Sequence, residues 1–193
     1  MPLALQRTGQ LATQTRDALL VKAVLAGDAR SFERLMILYK KRVAALGMSF
    51  FKNESDTDDF VQDVFIKAYR SLSTFKGEAM FSTWLTRIAY NMAINAVSRR
   101  KEYLPLSAEE QLASRALSPE EEQIQRTTAE SVREAIRNLP ERYAVCVEMY
   151  FFYDIPYHNI EEITGIPENT IKSHIFRAKK ILREKLKELN ENE

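Results

Sequence analysis

The sequence predicts an all-α protein: two small helical domains joined by a flexible acidic linker, the C-terminal one with a helix-turn-helix. Three observations predict it. Apolar residues recur every three to four positions in one window after another, the spacing of a helix face rather than of a strand. Glycine and proline are scarce, 5 and 6 in 193 residues. That is about half of their usual combined share, and a hairpin-rich sandwich or small barrel needs more turn residues. Between residues 102 and 122 the helical pattern gives way to a polar stretch punctuated by Pro105, Ser107, Ser118 and Pro119, which reads as a linker.

The elements follow in order. Residues 1–16 read as a flexible N-terminal extension. The first domain, 17–101, opens with a helix from Asp17 to Ala26, ended by Gly27, after which Asp28 caps the next. That second helix carries the stripe Phe32, Leu35, Met36, Tyr39, Val43 and Leu46. The segment Asn53 to Thr57 offers N-caps for a third helix, 56–69, striped by Phe60, Val61, Val64, Phe65, Ala68 and Leu72. A loop from Ser73 to Met80 leads to a fourth helix marked by Leu85, Ile88, Ala89, Met92 and Ala96 and ending in Arg99-Arg100-Lys101. The linker, 102–122, sets Glu102, Glu109, Glu110, Glu120, Glu121 and Glu122 against Arg115 alone. The second domain, 123–193, has a helix through Val132, Ile136 and Leu139, stopped by Pro140. Val147, Tyr150 and Phe151 belong to the next. A short helix from Tyr157 to Thr164, a turn at Gly165 and a long helix after Pro167 complete about eight helices in two bundles.

Composition bounds the chemistry. A lone cysteine, Cys146, rules out an internal disulfide. With His158 and His174 as the only histidines, no Cys/His metal site is expected, and no cofactor is implied. Cys146 lies in the apolar run Tyr143 to Val147 and reads as a buried small side chain rather than a reactive thiol. No run of about 18 apolar residues predicts a transmembrane helix. The segment Met1 to Arg16 lacks the apolar core and cleavage site of a signal peptide, so a cytoplasmic protein is expected.

The 28 basic and 27 acidic residues nearly cancel, to +1, but they are sorted along the chain. Glu54, Asp56, Asp58, Asp59 and Asp63 fall together with no base among them. From Asn169 to Lys187 seven bases (Lys172, Arg177, Lys179, Lys180, Arg183, Lys185 and Lys187) face one acid, Glu184. Basic helix stripes are the footprint of phosphate contact. The second of these segments follows a helix-turn-helix pattern. Ile160, Ile163 and Ile166 can pack on Ile171, Ile175 and Ala178, and Gly165 permits the left-handed turn. The second helix of such a unit enters the major groove by its N-terminal part. On it Lys172, Ser173, Phe176 and Arg177 point away from the apolar side. Arg177 or Lys172 could bond guanine and Phe176 could touch a thymine methyl, while Thr170 and the free backbone N–H groups suit a phosphate.

In the first domain Asp59, Gln62 and Asp63 share one face of the 56–69 helix, which alone is only an acidic solvated face. The segment from Phe75 to Asn91 interleaves aromatics with bases and amides, a surface suited to capturing unpaired bases. Phe75 and Phe81 fit an ordinary aromatic core equally well; the face Trp84, Arg87 and Asn91 fits one less well.

These motifs together resemble the sigma-70 family of bacterial transcription initiation factors, and more narrowly its extracytoplasmic-function group. The D-x-x-Q-D-x-F pattern falls on Asp59, Gln62, Asp63 and Phe65. The F-x-T-W-L-x-R-I-A-x-N pattern falls on Phe81, Thr83, Trp84, Leu85, Arg87, Ile88, Ala89 and Asn91. The L-P-E-R-Y pattern runs from Leu139 to Tyr143, and a fourth runs from Gly165 through Leu182. The resemblance implies an alternative sigma factor, not an enzyme. Such a factor binds core RNA polymerase, directs it to specific promoters and nucleates promoter melting. It implies that Asp56, Asp59, Gln62, Asp63, Phe65 and Lys67 bind the polymerase β′ subunit. Phe75, Lys76, Gly77, Met80, Trp84, Arg87 and Asn91 would recognise and melt the −10 element. Thr170, Lys172, Ser173, Phe176, Arg177 and Lys180 would read the −35 element. The linker would thread through the polymerase toward the RNA exit path, the core enzyme's β′ and β subunits being the implied partners. An anti-sigma factor would be a further partner, able to hold the protein at the membrane.

Two residues depart from the family pattern. Pro156 stands where the first helix of the helix-turn-helix usually begins with Ser or Thr, and Glu161 stands where a small Ala is usual. Glu161 cannot be buried unpaired, so either it turns outward or the two helices sit slightly apart. Three other readings of the same motifs are an operator-binding dimer, a purely protein-binding bundle and a nucleic-acid enzyme. The first has no use for the acidic helix, the basic last helix argues against the second, and no carboxylate cluster or nucleophile–base pair supports the third.

Overall fold

The computed structural model describes residues 3–103 and 128–191. Among them lie eight α-helices and no strand: α1 (Leu3–Leu25), α2 (Ala29–Phe51), α3 (Glu54–Ser71), α4 (Phe81–Tyr103), α5 (Thr128–Arg137), α6 (Glu141–Val147), α7 (Tyr157–Thr164) and α8 (Glu168–Glu191). The expected N-terminal extension is corrected: the chain is helical from Leu3, continuous with the helix expected to start at Asp17. Asp17, only 1% exposed, accepts bonds from Arg16 Nε (3.0 Å) and Nη2 (2.8 Å) and from the Tyr39 hydroxyl. A carboxylate so buried is tolerated only when paired, and the pairing fastens α1 to α2. Burial and the adjacent Asp17 push the Tyr39 phenol well above its ordinary pKa.

Local chemistry sets the other boundaries. Asp28 caps α2, accepting from Arg30 N and the Ser31 hydroxyl. Asn53 caps α3, accepting from Asp56 N at 2.8 Å. Helix α4 starts at Phe81, ahead of its first expected apolar marker, because the Met80 carbonyl accepts from Thr83 N and Trp84 N. It ends at Tyr103 and so takes Glu102 and Tyr103 out of the expected linker; the rest of the linker lies outside the described residues. Helix α6 runs into one π-helical turn, Glu148–Phe152. Such turns add a residue to the repeat and occur mostly singly. Here the turn leaves Glu148 and Met149 buried and Phe151 and Phe152 exposed.

The two domains share a core. Val145, Cys146, Met149, Tyr153 and Ile155 belong to the same buried cluster as Leu35, Val43, Leu85 and Ala93. Polar bonds pin the seam. The Lys52 ammonium reaches the carbonyls of Arg137 and, at 3.1 Å, Leu139, capping the C-terminal end of α5 from the other domain. Arg42 Nη2 donates to the Phe152 carbonyl at 3.3 Å, and the Tyr153 hydroxyl donates back to the Arg42 carbonyl. The Arg42 guanidinium lies 4.5 Å over the Tyr153 ring and 5.9 Å from Tyr39. Beside this seam a cleft of about 700 Å³ is lined by Lys41, Arg42, Glu54, Asp58, Arg133, Arg137 and Glu148.

Two predictions follow from the packing. Gly47 of α2 faces α3 so closely that a Cβ there would lie 2.7 Å from Phe60 Cδ1 and 3.1 Å from Thr57 Cγ2. Gly47→Ala is therefore expected to lower stability by about 1–3 kcal/mol in chemical denaturation, as overpacking does. Burial pushes the Glu148 carboxyl up to about 7, opposed by the charge of Arg137. The folded chain thus holds an extra proton that the unfolded chain releases near the ordinary carboxyl value. Its stability at this site therefore falls as pH rises from about 4.5 to about 7 and is level above that, a loss on the order of 3 kcal/mol in all. Glu148→Gln removes that cost, so denaturation at pH 8 should find it more stable than the parent, with the gap closing toward pH 5.

Candidate functional site

Three surfaces carry the residues singled out from the sequence. The first is the outer face of α3. Phe60, Val61, Val64, Phe65 and Ala68 turn inward, so Asp59, Gln62 and Asp63 stand exposed on the opposite side, with Lys67 exposed nearby. Asp56 is half-buried and its carboxylate accepts from the Asn53 amide at 2.7 Å, so it closes the cap of α3. Phe65 is 2% exposed and meets Phe32 edge-on at 6.3 Å; it props the face from beneath. Sequence reading missed Ile66. It lies four residues after Gln62 and three after Asp63, on the same side of α3 one turn beyond the last acid, and is 49% exposed. The available signal was an aliphatic residue lying off the buried stripe.

The second surface is the loop 75–80 with the start of α4. Phe75, Phe81 and Trp84 form a mutually packed trio with centroids 5.5–5.7 Å apart, and Tyr39 backs Phe81 at 5.4 Å. Phe81 is therefore core, while Phe75 and Trp84 are half-buried. Lys76 and Gly77 are exposed in the loop, Gly77 at φ +77°, and Met80 is half-buried as its carbonyl starts α4. Arg87 and Asn91 are exposed on the Trp84 face. Arg87 Nη2 donates to the Glu162 carbonyl of α7 at 3.1 Å, so this surface abuts the helix-turn-helix.

The third surface is the helix-turn-helix itself. Ile160, Ile163, Ile171, Ile175 and Ala178 are buried, and Gly165 turns the chain at φ +72°. Glu161 is exposed, which settles its open alternative: it turns outward and the two helices pack closely. Pro156 starts α7 without a side-chain cap, its carbonyl accepting from Asn159 N and Ile160 N at 3.0 Å each. On α8 Thr170, Lys172, Ser173, Phe176, Arg177 and Lys180 are all exposed, Phe176 at 72%. They do not share one direction. Counting 100° per residue from the Ile171/Ile175/Ala178 side, Asn169, Ser173, Phe176 and Lys180 point outward. Arg177 lies on one edge, hydrogen-bonded to the Tyr143 hydroxyl, whose pKa it pulls down with help from Arg142. Lys172 lies on the other edge. Cys146 is fully buried 3.7 Å from His174 Nδ1, and burial pushes its thiol up to about 11. No group of three or more His, Cys, Asp or Glu among the described residues is placed to hold a metal. No helix there is long and apolar enough to cross a membrane.

Known proteins carry the same two units in the same order. The family model of sigma-70 region 2 matches residues 35–103, and that of sigma-70 region 4 matches 129–182. Over 189 residues the chain is 35% identical to the extracytoplasmic-function RNA polymerase sigma-E factor of Haemophilus influenzae, covering 93% of this chain and 100% of that one. The chain belongs to the sigma-70 family, in its extracytoplasmic-function group. This sigma factor is also 33% identical to the sigma-E factor of Escherichia coli K12 (93% and 98% covered). To the sigma factor SigW of Bacillus subtilis it is 28% identical (88% and 96% covered). Two solved structures share its fold. One is the sigma factor RpoE of Bartonella quintana with the anti-sigma factor NepR (TM-score 0.66, 23% identity, 82% and 98% covered). The other is CnrH with the cytosolic domain of CnrY (TM-score 0.58, 20% identity, 91% and 97% covered). As a member of the group, the sigma factor is a transcription initiation factor that directs RNA polymerase to promoters.

Proposed function

We propose that the three surfaces divide this task as follows. The α3 face of Asp59, Gln62 and Asp63, with Ile66 at its C-terminal end, docks on core RNA polymerase. Asp56 and Phe65 hold that face in shape, and Lys67 flanks it. The α4 face of Trp84, Arg87 and Asn91, with the loop of Lys76, Gly77 and Met80 and the ring of Phe75, receives the −10 element as it opens. Unstacking bases costs a few kcal/mol per step, and stacking on an aromatic returns about 1–3 kcal/mol per base. Helix α8 enters the −35 major groove, with Ser173, Phe176 and Lys180 facing the DNA and Thr170, Lys172 and Arg177 at the edges of that face. The protein acts by binding and carries no chemistry of its own. Its place of work is the cytoplasm, where an anti-sigma factor covering the same surfaces would silence it.

The observation that carries this reading is the exposure of the acidic α3 face and the basic α8 helix on opposite halves of one chain. The bond from Arg87 to Glu162 adds an order of events: the −10 surface touches the −35 domain in the free chain, so binding polymerase must part the domains. Run-off transcription with core polymerase tests the reading. Promoter-dependent transcripts are expected from polymerase plus this chain, and none with any cognate promoter would sink it. Asp63→Lys, which reverses an exposed charge, is expected to lower core affinity by at least about tenfold, roughly 1.4 kcal/mol. Unchanged affinity with an intact fold would remove α3 from the interface.

A further inference from the structure

One edge of α8 is built differently from its outward face. The Lys172 ammonium lies 5.5 Å over the Tyr157 ring and 2.8 Å from Glu168 Oε1, one turn earlier. Tyr157 is itself stacked on Tyr150, with centroids 4.4 Å apart and planes 5° from parallel. Seven residues further along the same edge, Lys179 Nζ lies 4.9 Å over the ring of Phe151, which is 47% exposed. Two cations about 10 Å apart along the axis are thus each seated on an aromatic face supplied by another element. An ammonium seated this way is oriented by the ring yet keeps donors free. Neither lysine shares the outward direction of Asn169, Ser173, Phe176 and Lys180.

We propose that Lys172 and Lys179 form a phosphate clamp for DNA, positioned by Tyr157 and Phe151, that fixes α8 in the groove without reading sequence. The proposal rests on the reading of α8 as the −35 helix and deepens it. It moves Lys172 from base reader to backbone contact, adds Lys179, and makes Tyr157 and Phe151 positioning residues. Glu168 competes with the incoming phosphate for Lys172 and weakens the clamp.

The test uses polymerase reconstituted with this chain. It measures promoter affinity against salt concentration, on a cognate promoter and on variants with single −35 substitutions. Each neutralised phosphate contributes about 0.9 to the slope of log affinity against log salt. Lys172→Ala and Lys179→Ala should each reduce the slope by about 1 and weaken all promoters alike. Tyr157→Leu should reproduce the loss of Lys172→Ala and add nothing to it in the double variant, whereas Tyr157→Phe should behave as the parent. Glu168→Gln should tighten binding with base preferences unchanged. Losses confined to one −35 base would make Lys172 a reader, and an unchanged slope would remove the clamp; either overturns the proposal. If the parent polymerase shows no dependence on −35 sequence, the reading of α8 fails instead.

Discussion

The burial of the Arg42 guanidinium between the domains constrains the arrangement around it. A guanidinium cannot leave water unpaired, and burial lowers its pKa. The seam answers with the Tyr153 ring, the Phe152 carbonyl and a return bond from the Tyr153 hydroxyl. All three come from the π-helical turn and the residue after it. A regular α-helix over 148–152 would rotate these groups, so the extra residue in the turn is tied to the docking. Lys52, in a left-handed conformation at φ 58°, adds the cap on α5. With both in place, the start of α4 is carried against α7.

Docking explains how one chain keeps opposite charges apart without an unbalanced total. The acids of α3 and the bases of α8 belong to different domains, each on an exposed face. The net charge of +1 is the sum of oppositely charged surfaces. The seam itself combines a few polar bonds with a shared apolar core.

Much of this was legible in the sequence because it depends on local rules. The apolar stripes of α2 and α3, the caps at Asp28 and Asn53, the stop at Pro140 and the turn at Gly165 are each decided within a few residues. What escaped depends on distant partners. The helix before Asp17 has no apolar stripe to announce it, and the Tyr39 hydroxyl that fastens α1 at Asp17 comes from α2. The outward turn of Glu161 could not be chosen without knowing how α7 meets α8. The direction of Lys172 depends on rings at Tyr157 and Tyr150, which no spacing rule connects to a lysine on the next helix. The docking of the domains is the extreme case, since it joins residues about a hundred positions apart.

With the −10 surface docked against the −35 domain in the free chain, promoter recognition belongs to the complex and not to the free chain. Footprinting a cognate promoter with the chain alone, with core polymerase alone and with both tests it most directly. Protection at the −10 and −35 elements only when both are present is the predicted result. A defined site protected by the chain alone would contradict it.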